Sequence, residues 1–216
     1  MNTPDLKHGK AIYLIGLTGN IACGKSAVLQ MLKQRGAAVI DADQIVHKLM
    51  QPGGTIYGPV LEAFGDAILA DEVATTTVKS DSRPIDRRKL GAIVFADPEQ
   101  LVRLEQISHP RVRVELLRQI EATTAPVLVL DAIKLIENNL VAASDAVWVV
   151  TCSPQFQLER LMQRNNFSRE EALLRMAAQP PQAEKVAHAT VVIDNGGSLT
   201  ETEQQVQIAW EQINLT

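Results

Sequence analysis

The fold is decided by an apolar run, Ala11-Ile12-Tyr13-Leu14-Ile15-Gly16-Leu17, that leads into Thr18-Gly19-Asn20-Ile21-Ala22-Cys23-Gly24-Lys25-Ser26. Apolar residues at helical spacing follow as far as Leu32, so the predicted order is strand, glycine-bounded loop, Lys-Ser and helix. This order fits G-x-x-x-x-G-K-[ST], the phosphate-binding loop or P-loop. The flanking strand and helix favour the P-loop over the alternative, an ordinary strand-turn-helix with a chance Gly-Lys-Ser.

The loop predicts a site for the phosphates of a nucleotide. Backbone N–H groups at the start of a helix, together with the helix dipole, favour bound negative charge. Lys25 is expected to reach the outer phosphates, and the Ser26 hydroxyl is expected to ligate Mg²⁺. The predicted nucleotide-binding residues of this segment are Gly19, Ala22, Cys23, Gly24, Lys25, Ser26 and Ala27.

Length, composition and charge narrow the class of protein. The 216 residues suffice for one substantial core with a small insertion. A net charge of −4 gives no global basic field, so we expect no nucleic-acid partner. Two cysteines indicate no disulfide framework and fit a reducing compartment. Without a signal-peptide core or a membrane-length apolar run, the chain is expected to be cytoplasmic, with no membrane partner, as a monomer or small homo-oligomer.

Five short apolar runs predict the strands of a parallel sheet. Their hydrophobicity is continuous rather than alternating, which is typical of strands that are buried on both faces. Helical patterns separate them. The predicted fold class is therefore α/β, a three-layer α/β/α P-loop NTPase with a five-stranded parallel sheet, a helical substrate-binding insertion and a helical lid. The predicted strands are residues 11–17, 37–40, 127–130, 145–151 and 189–193.

Two helical segments define the predicted domains. Residues 55–124 are mostly helical, apart from a polar loop at 74–83, and Pro110 is expected to bend or break one helix. A basic helical stretch follows the fourth strand and is interpreted as a lid over ATP, with a solvated surface helix as the alternative. The predicted division is 1–50, 125–152 and 187–216 for the nucleotide-binding core, 51–124 for the acceptor insertion and 153–186 for the lid.

Acidic residues follow two of the predicted strands, at the sheet edge where ligands bind in open α/β folds. Asp41 and Asp43 come after residues 37–40. One of these carboxylates can accept a proton from an attacking hydroxyl, while the other caps the next helix, and we favour Asp43 as the base. Asp131 follows residues 127–130 and, in company with the P-loop, is predicted to hold Mg²⁺.

Arg160 and Arg164 are four residues apart on the predicted lid helix and therefore face the same way. Phosphoryl transfer needs cations around the migrating group, and the planar, always-charged guanidinium suits this task. The alternative is a solvated face on which these arginines pair with nearby glutamates.

Taken together, these residues resemble the dephospho-CoA kinase family over about residues 11–210. The matching segments are Ile15-Gly16-Leu17-Thr18-Gly19, Gly24-Lys25-Ser26, Ile40-Asp41-Ala42-Asp43, Ile85-Asp86-Arg87 through Leu90, Ile93-Val94-Phe95, Leu104-Glu105, His109-Pro110, Gln157 with Arg160 and Arg164, Arg175 with Gln179, and Ile193-Asp194-Asn195-Gly196. The resemblance implies an ATP- and Mg²⁺-dependent kinase that phosphorylates the 3′-hydroxyl of dephospho-CoA, the last step of CoA synthesis.

The resemblance also implies roles for individual residues. Asp43 would be the base beside the 3′-hydroxyl, and Lys25 with Arg160 would stabilise the transferred phosphoryl group. Arg164 would assist ATP binding, and Arg87 and His109 would belong to the acceptor side. The other possibilities are a P-loop kinase for a nucleoside monophosphate or a sugar acid, and a non-catalytic nucleotide-binding switch.

The sequence departs from the family pattern within the loop and near Lys134. Asn20, Ala22, Cys23 and Ala27 stand where Gly, Gly, Ser and Thr are more common. Asn tolerates left-handed backbone and Ala is small, so we expect the loop to form. A thiol at a helix N-terminus can have a lowered pKa, so Cys23 is either redox-sensitive or a small replacement for serine.

Overall fold

A five-stranded, all-parallel sheet lies at the centre of the fold, as predicted. The structure is a computed structural model that describes residues 6–7, 9–71, 83–137 and 140–214. The sheet order β2-β3-β1-β4-β5 places the strand before the P-loop in the middle. The strands are β1 (Tyr13–Gly19), β2 (Ala38–Asp41), β3 (Val127–Asp131), β4 (Ala146–Thr151) and β5 (Val191–Asp194).

Helices connect the strands. None of the helices in the described part of the chain is long and apolar enough to cross a membrane. Their bounds are α1 (Lys25–Gln34), α2 (Ala42–Leu49), α3 (Tyr57–Phe64), α4 (Arg87–Ala96), α5 (Pro98–Ala122), α6 (Pro154–Asn165), α7 (Arg169–Ala177), α8 (Gln182–Val186) and α9 (Leu199–Glu211).

The three middle strands, β3, β1 and β4, are buried on both faces, which explains their unbroken hydrophobic runs. Ile15 of β1 packs with Leu32 of α1 and Val206 of α9 on one face. Leu14, which points to the opposite face, is equally inaccessible to solvent. Thr18 points the same way as Leu14 and contacts α8 through Lys185. Each fully buried aliphatic side chain contributes about 1.5–3 kcal/mol to this core.

The chain divides into two compact units, Met1–Asp41 with Gln119–Thr216, and Ala42–Arg118. The second unit has its own apolar core. Its described residues are mainly helical, as predicted, with one isolated antiparallel bridge between Leu69 and Ile85. Residues 72–82, most of the predicted loop at 74–83, lie outside the described residues. The buried side chains of that core are Met50, Ile56, Tyr57, Val60, Ile68, Leu69, Ile85, Leu90 and Val94.

Of the predicted bend or break at Pro110, the break is wrong, because α5 continues through it from Pro98 to Ala122, and the bend stays a prediction. Proline removes one backbone donor and crowds the preceding turn, at a cost of about 3 kcal/mol in a helix interior. Side chains bind carbonyls in the adjacent turns: Ser108 donates its hydroxyl to Leu104 O at 2.8 Å, and Arg111 donates Nη1 to Ile107 O at 2.7 Å. These bonds and the length of α5 outweigh the local loss.

Replacement of Pro110 by alanine should raise the free energy of unfolding by about 1–3 kcal/mol, because it restores a backbone donor and removes ring crowding. Urea denaturation of Pro110→Ala and the wild type measures the difference. Gln106→Ala, at an exposed position of the same helix, is the control and should be nearly neutral. An unchanged or lower unfolding free energy for Pro110→Ala would contradict the account of α5.

Candidate active site

The P-loop occupies the turn between Gly19, the last residue of β1, and Lys25, the first residue of α1. Two of its residues have left-handed backbone, Ala22 with φ 60° and Gly24 with φ 86°. Asn20 was the residue expected to tolerate this conformation, but it does not adopt it. Its side-chain amide instead donates to Pro180 O at 3.2 Å. The left-handed backbone of Ala22 lowers the stability of the folded state by about 1–2 kcal/mol, which the surrounding contacts must offset.

Gly24 allows the loop to pack against the end of β5. A Cβ at this position would lie only 1.9 Å from Nδ2 of Asn195. Asn195 is 3 % exposed and donates Nδ2 to Cys23 O at 2.9 Å, while its Oδ1 accepts a hydrogen bond from Thr202 at 2.9 Å. The buried asparagine therefore holds the loop from behind, and its own polar atoms are satisfied.

The P-loop forms one side of a cavity of about 650 Å³ in the first unit. This cavity brings together Gly19, Ala22, Gly24, Lys25, Ser26, Asp131, Arg160 and Arg164, all of which were predicted to belong to the site. Cys23 and Ala27 are not among its lining residues. The other lining residues are Asn20, Ile21, Leu29, Ile133, Gln163 and Gln179.

Lys25 and Asp131 form an ion pair at the edge of the cavity. Asp131 ends β3 beside the central strand, in register with Leu17. The two side chains are only 17 % and 10 % exposed, and each charge compensates the other. An incoming phosphate would offer Lys25 a second anionic partner in the same place.

Arg160 lines the cavity and is held by a backbone carbonyl. Its Nη2 donates to Asn195 O at 2.9 Å, which fixes the guanidinium. Its Nη1 is buried and has no hydrogen-bond partner among the described residues. A buried donor without an acceptor is costly, so this group gains more than an exposed one from any acceptor that reaches it. Arg164 also lines the cavity, but it is exposed and donates Nε to Asn165 at 3.0 Å.

Two glutamines of the predicted lid bind the backbone of Ile21 in the P-loop. Gln157 donates Nε2 to Ile21 O at 2.8 Å, and Gln179 accepts from Ile21 N at 2.8 Å. Both glutamines belong to the segments that resemble the family, but the sequence predicts no role for them. These contacts join segments more than a hundred residues apart, and hydrophobic periodicity carries no signal for such a hydrogen bond.

Lys185 of α8 is a buried cation that sequence reasoning missed. It is 3 % exposed, and its Nζ donates to Ile133 O at 2.8 Å and to Thr18 Oγ1 at 3.4 Å. It thereby links α8 to the carboxyl-terminal ends of β1 and β3. Its neighbourhood in the sequence is polar, which is typical of a surface lysine, so only tertiary structure identifies it.

The loop thiol, Cys23, is fully buried and lies 3.2 Å from the thiol of Cys152, Sγ to Sγ. The hydrogen bond with Cys152, assisted by burial, raises the pKa of the Cys23 thiol. The same hydrogen bond, assisted by the Arg160 guanidinium, lowers the pKa of Cys152. The lowered pKa expected for Cys23 is therefore wrong, because the hydrogen bond with Cys152 and burial both favour its protonated form.

The predicted acceptor-side residues belong to the second unit. The helix α2 begins at Ala42, which leaves Asp41 at the end of β2 and Asp43 in the first helical turn. Asp43 is exposed, as are Arg87 at the start of α4 and His109 within α5. The roles of these three side chains stay predictions.

Comparisons with known proteins give one consistent family. A family model described as dephospho-CoA kinase matches residues 13–201. A Carboxydothermus hydrogenoformans protein named dephospho-CoA kinase is 43 % identical over 196 residues, covering 89 % of this chain and 90 % of that protein. A solved structure from Thermus thermophilus has a TM-score of 0.79 at 31 % identity, covering 94 % and 98 % of the two chains. A dephospho-CoA kinase structure from Campylobacter jejuni has a TM-score of 0.61 at 26 % identity, covering 92 % of this chain and 96 % of that chain.

The close packing of Gly24 predicts that Gly24→Ala weakens the binding of Mg·ATP at least about tenfold, or ~1.4 kcal/mol. The new methyl group would displace Asn195 and distort the loop. Gly36→Ala is a matched control, because Gly36 also has a positive φ, 93°, but its Cβ would meet no atom within 4 Å. Calorimetric titration should find the affinity of Gly36→Ala for Mg·ATP unchanged. Urea denaturation should find its free energy of unfolding lower by about 1–2 kcal/mol, the cost of a left-handed alanine. Equal affinities for the two variants would contradict this account.

Proposed function

We propose that this chain, which belongs to the dephospho-CoA kinase family, transfers the γ-phosphoryl group of ATP to the 3′-hydroxyl of dephospho-CoA. The observation that carries the proposal is the cavity in which the P-loop, Lys25 and the unpaired Nη1 of Arg160 converge. Such a site suits phosphoryl transfer, where catalysis consists mainly of positioning and charge stabilisation. The family match over residues 13–201 supports dephospho-CoA as the acceptor.

On the donor side, the backbone N–H groups of the loop and the N-terminus of α1 bind the phosphates. Lys25 exchanges its bond with Asp131 for a bond with the outer phosphates. Arg160, which is oriented by Asn195, donates Nη1 to the migrating phosphoryl group. Arg164 assists in binding ATP from the next turn of α6.

On the acceptor side, Asp43 accepts the proton of the 3′-hydroxyl as that oxygen attacks the γ-phosphorus. Arg87 and His109 bind the acceptor. In this scheme residues 51–124 form the acceptor domain, and residues 153–186 form a lid over ATP.

Mg²⁺ fits the oxygen donors at the cavity. The ion usually keeps several waters and takes only one or two protein ligands besides substrate phosphates. Ser26 and Asp131 line the same cavity and supply a hydroxyl and a carboxylate. No group of three or more His, Cys, Asp or Glu residues within the described ranges forms a dedicated cation site. Bound there with ATP, Mg²⁺ would neutralise phosphate charge while Ser26 and Asp131 orient it.

We further propose that the enzyme is cytoplasmic, works as a monomer or small homo-oligomer, and binds neither nucleic acid nor membrane. The net charge of −4 and the two free cysteines support this setting.

The acceptor is tested by incubating the protein with Mg·ATP and, separately, dephospho-CoA, AMP or gluconate. ADP release and the mass of the product are followed. We expect turnover with dephospho-CoA to yield CoA and to exceed turnover with the other acceptors. Turnover with AMP or gluconate, but not with dephospho-CoA, would contradict the proposal and identify a different small-molecule kinase.

The base is tested by Asp43→Asn, which keeps the size of the side chain but removes its basicity. We expect kcat to fall about 10²- to 10⁴-fold while the affinity for Mg·ATP is kept, since the general base acts on the acceptor hydroxyl. Asp41→Asn tests the alternative assignment. Full activity in Asp43→Asn, with loss of activity in Asp41→Asn, would transfer the role to Asp41.

A further inference from the structure

The fold brings together the chain's two cysteines, which are 129 residues apart in sequence. Cys23 lies within the P-loop, and Cys152 lies between β4 and the N-cap of α6, Ser153. Their Sγ atoms are 3.2 Å apart, and both residues are buried, 0 % and 4 % exposed. A disulfide has an S–S bond of ~2.0 Å, so a small approach of the two sulfurs suffices to form one.

The surroundings of the two thiols differ in a way that suits oxidation. Cys152 has the lowered pKa and is the better nucleophile, because its hydrogen bond with Cys23 and the nearby Arg160 guanidinium favour its thiolate. Cys23 keeps its proton and lies in position to resolve an oxidised Cys152. The Oε1 of Gln182 lies 3.5 Å from Cys23 Sγ, so it can accept a hydrogen bond from the Cys23 thiol. The same oxygen accepts from Cys152 N at 3.4 Å.

We infer that Cys23 and Cys152 form a reversible disulfide that weakens nucleotide binding at the P-loop. The oxidant is a small peroxide such as hydrogen peroxide. The Cys152 thiolate attacks one peroxide oxygen, the O–O bond breaks, and a sulfenic acid forms as hydroxide leaves and becomes water. The Cys23 sulfur then attacks the sulfenic sulfur, and its proton leaves with the displaced hydroxide as a second water. Two thiols thus lose two electrons and two protons, and one peroxide becomes two waters.

The bond affects the site because Cys23 lies between two residues that line the cavity. Ala22 and Gly24 both have left-handed backbone, and Asn195 fixes the carbonyl of Cys23 from behind. Drawing Cys23 towards Cys152 turns the peptide groups on either side and misaligns the N–H groups that face the phosphates. By linkage, bound nucleotide opposes disulfide formation by the same factor by which the disulfide opposes nucleotide.

The test uses the full chain, hydrogen peroxide and the Mg²⁺ complex of a non-hydrolysable ATP analogue. After peroxide is removed, titration under denaturing conditions should find two thiols before treatment and none after it. Peptide mass analysis should find the segments that contain Cys23 and Cys152 joined, with the loss of two hydrogens. Calorimetry should find Kd raised fivefold or more, within the usual range of coupling between sites, and restored by dithiothreitol.

Cys152→Ala and Cys152→Ser are the controls, since Cys152 has no place in the proposed catalytic or binding machinery. Both should bind the analogue like reduced wild type and keep that affinity after peroxide treatment. A wild-type chain that retains its two thiols, or a linked chain with unchanged Kd, would overturn the inference. So would an equal loss of affinity in the Cys152 variants.

The inference rests on the proposed function only in that the P-loop binds ATP. No acceptor is present in the experiment. A reduced protein that binds the ATP analogue but fails to phosphorylate dephospho-CoA would contradict the proposed activity and leave the disulfide result intact.

Discussion

The structure of the site depends on the contact between Gly24 and Asn195, where the P-loop backbone meets a buried amide with no room for a Cβ. Asn195 makes hydrogen bonds in two directions. Its Nδ2 donates to Cys23 O, and its main-chain carbonyl accepts from Arg160 Nη2. The loop, the end of β5 and the helix α6 are thereby joined. A shift in any one of them changes the orientation of the groups that line the phosphate-binding cavity.

The same junction explains the electrostatics of the cavity. Lys25 is compensated by Asp131, whereas Nη1 of Arg160 is buried without an acceptor among the described residues. A phosphate can therefore compete with Asp131 for the lysine, and Arg160 adds a second cation to the same cavity. Anion binding here exploits donors that the fold has already desolvated and oriented, so little of the interaction is lost to ordering them.

The sequence predicts much of the fold, because buried parallel strands and the Gly-Lys-Ser loop have local signatures. It does not predict which residue takes the left-handed backbone, since the contacts of Asn20 with Pro180 decide against Asn20 and leave that conformation to Ala22. Pro110 was misjudged because propensity describes a local cost, while α5 is stabilised along its whole length. The contacts of Gln157, Lys185 and the two cysteines join distant segments, and one-dimensional patterns contain no information about them.

The most direct test of the proposed chemistry is a crystal structure with dephospho-CoA and a Mg²⁺ complex of a non-hydrolysable ATP analogue. Our account predicts that Lys25 and Nη1 of Arg160 contact the γ-phosphate. It also predicts an Asp43 carboxylate within hydrogen-bond reach, about 2.6–3.2 Å, of the 3′-hydroxyl. A γ-phosphate held away from both cations, or an acceptor hydroxyl bound beyond the reach of Asp43, would contradict it.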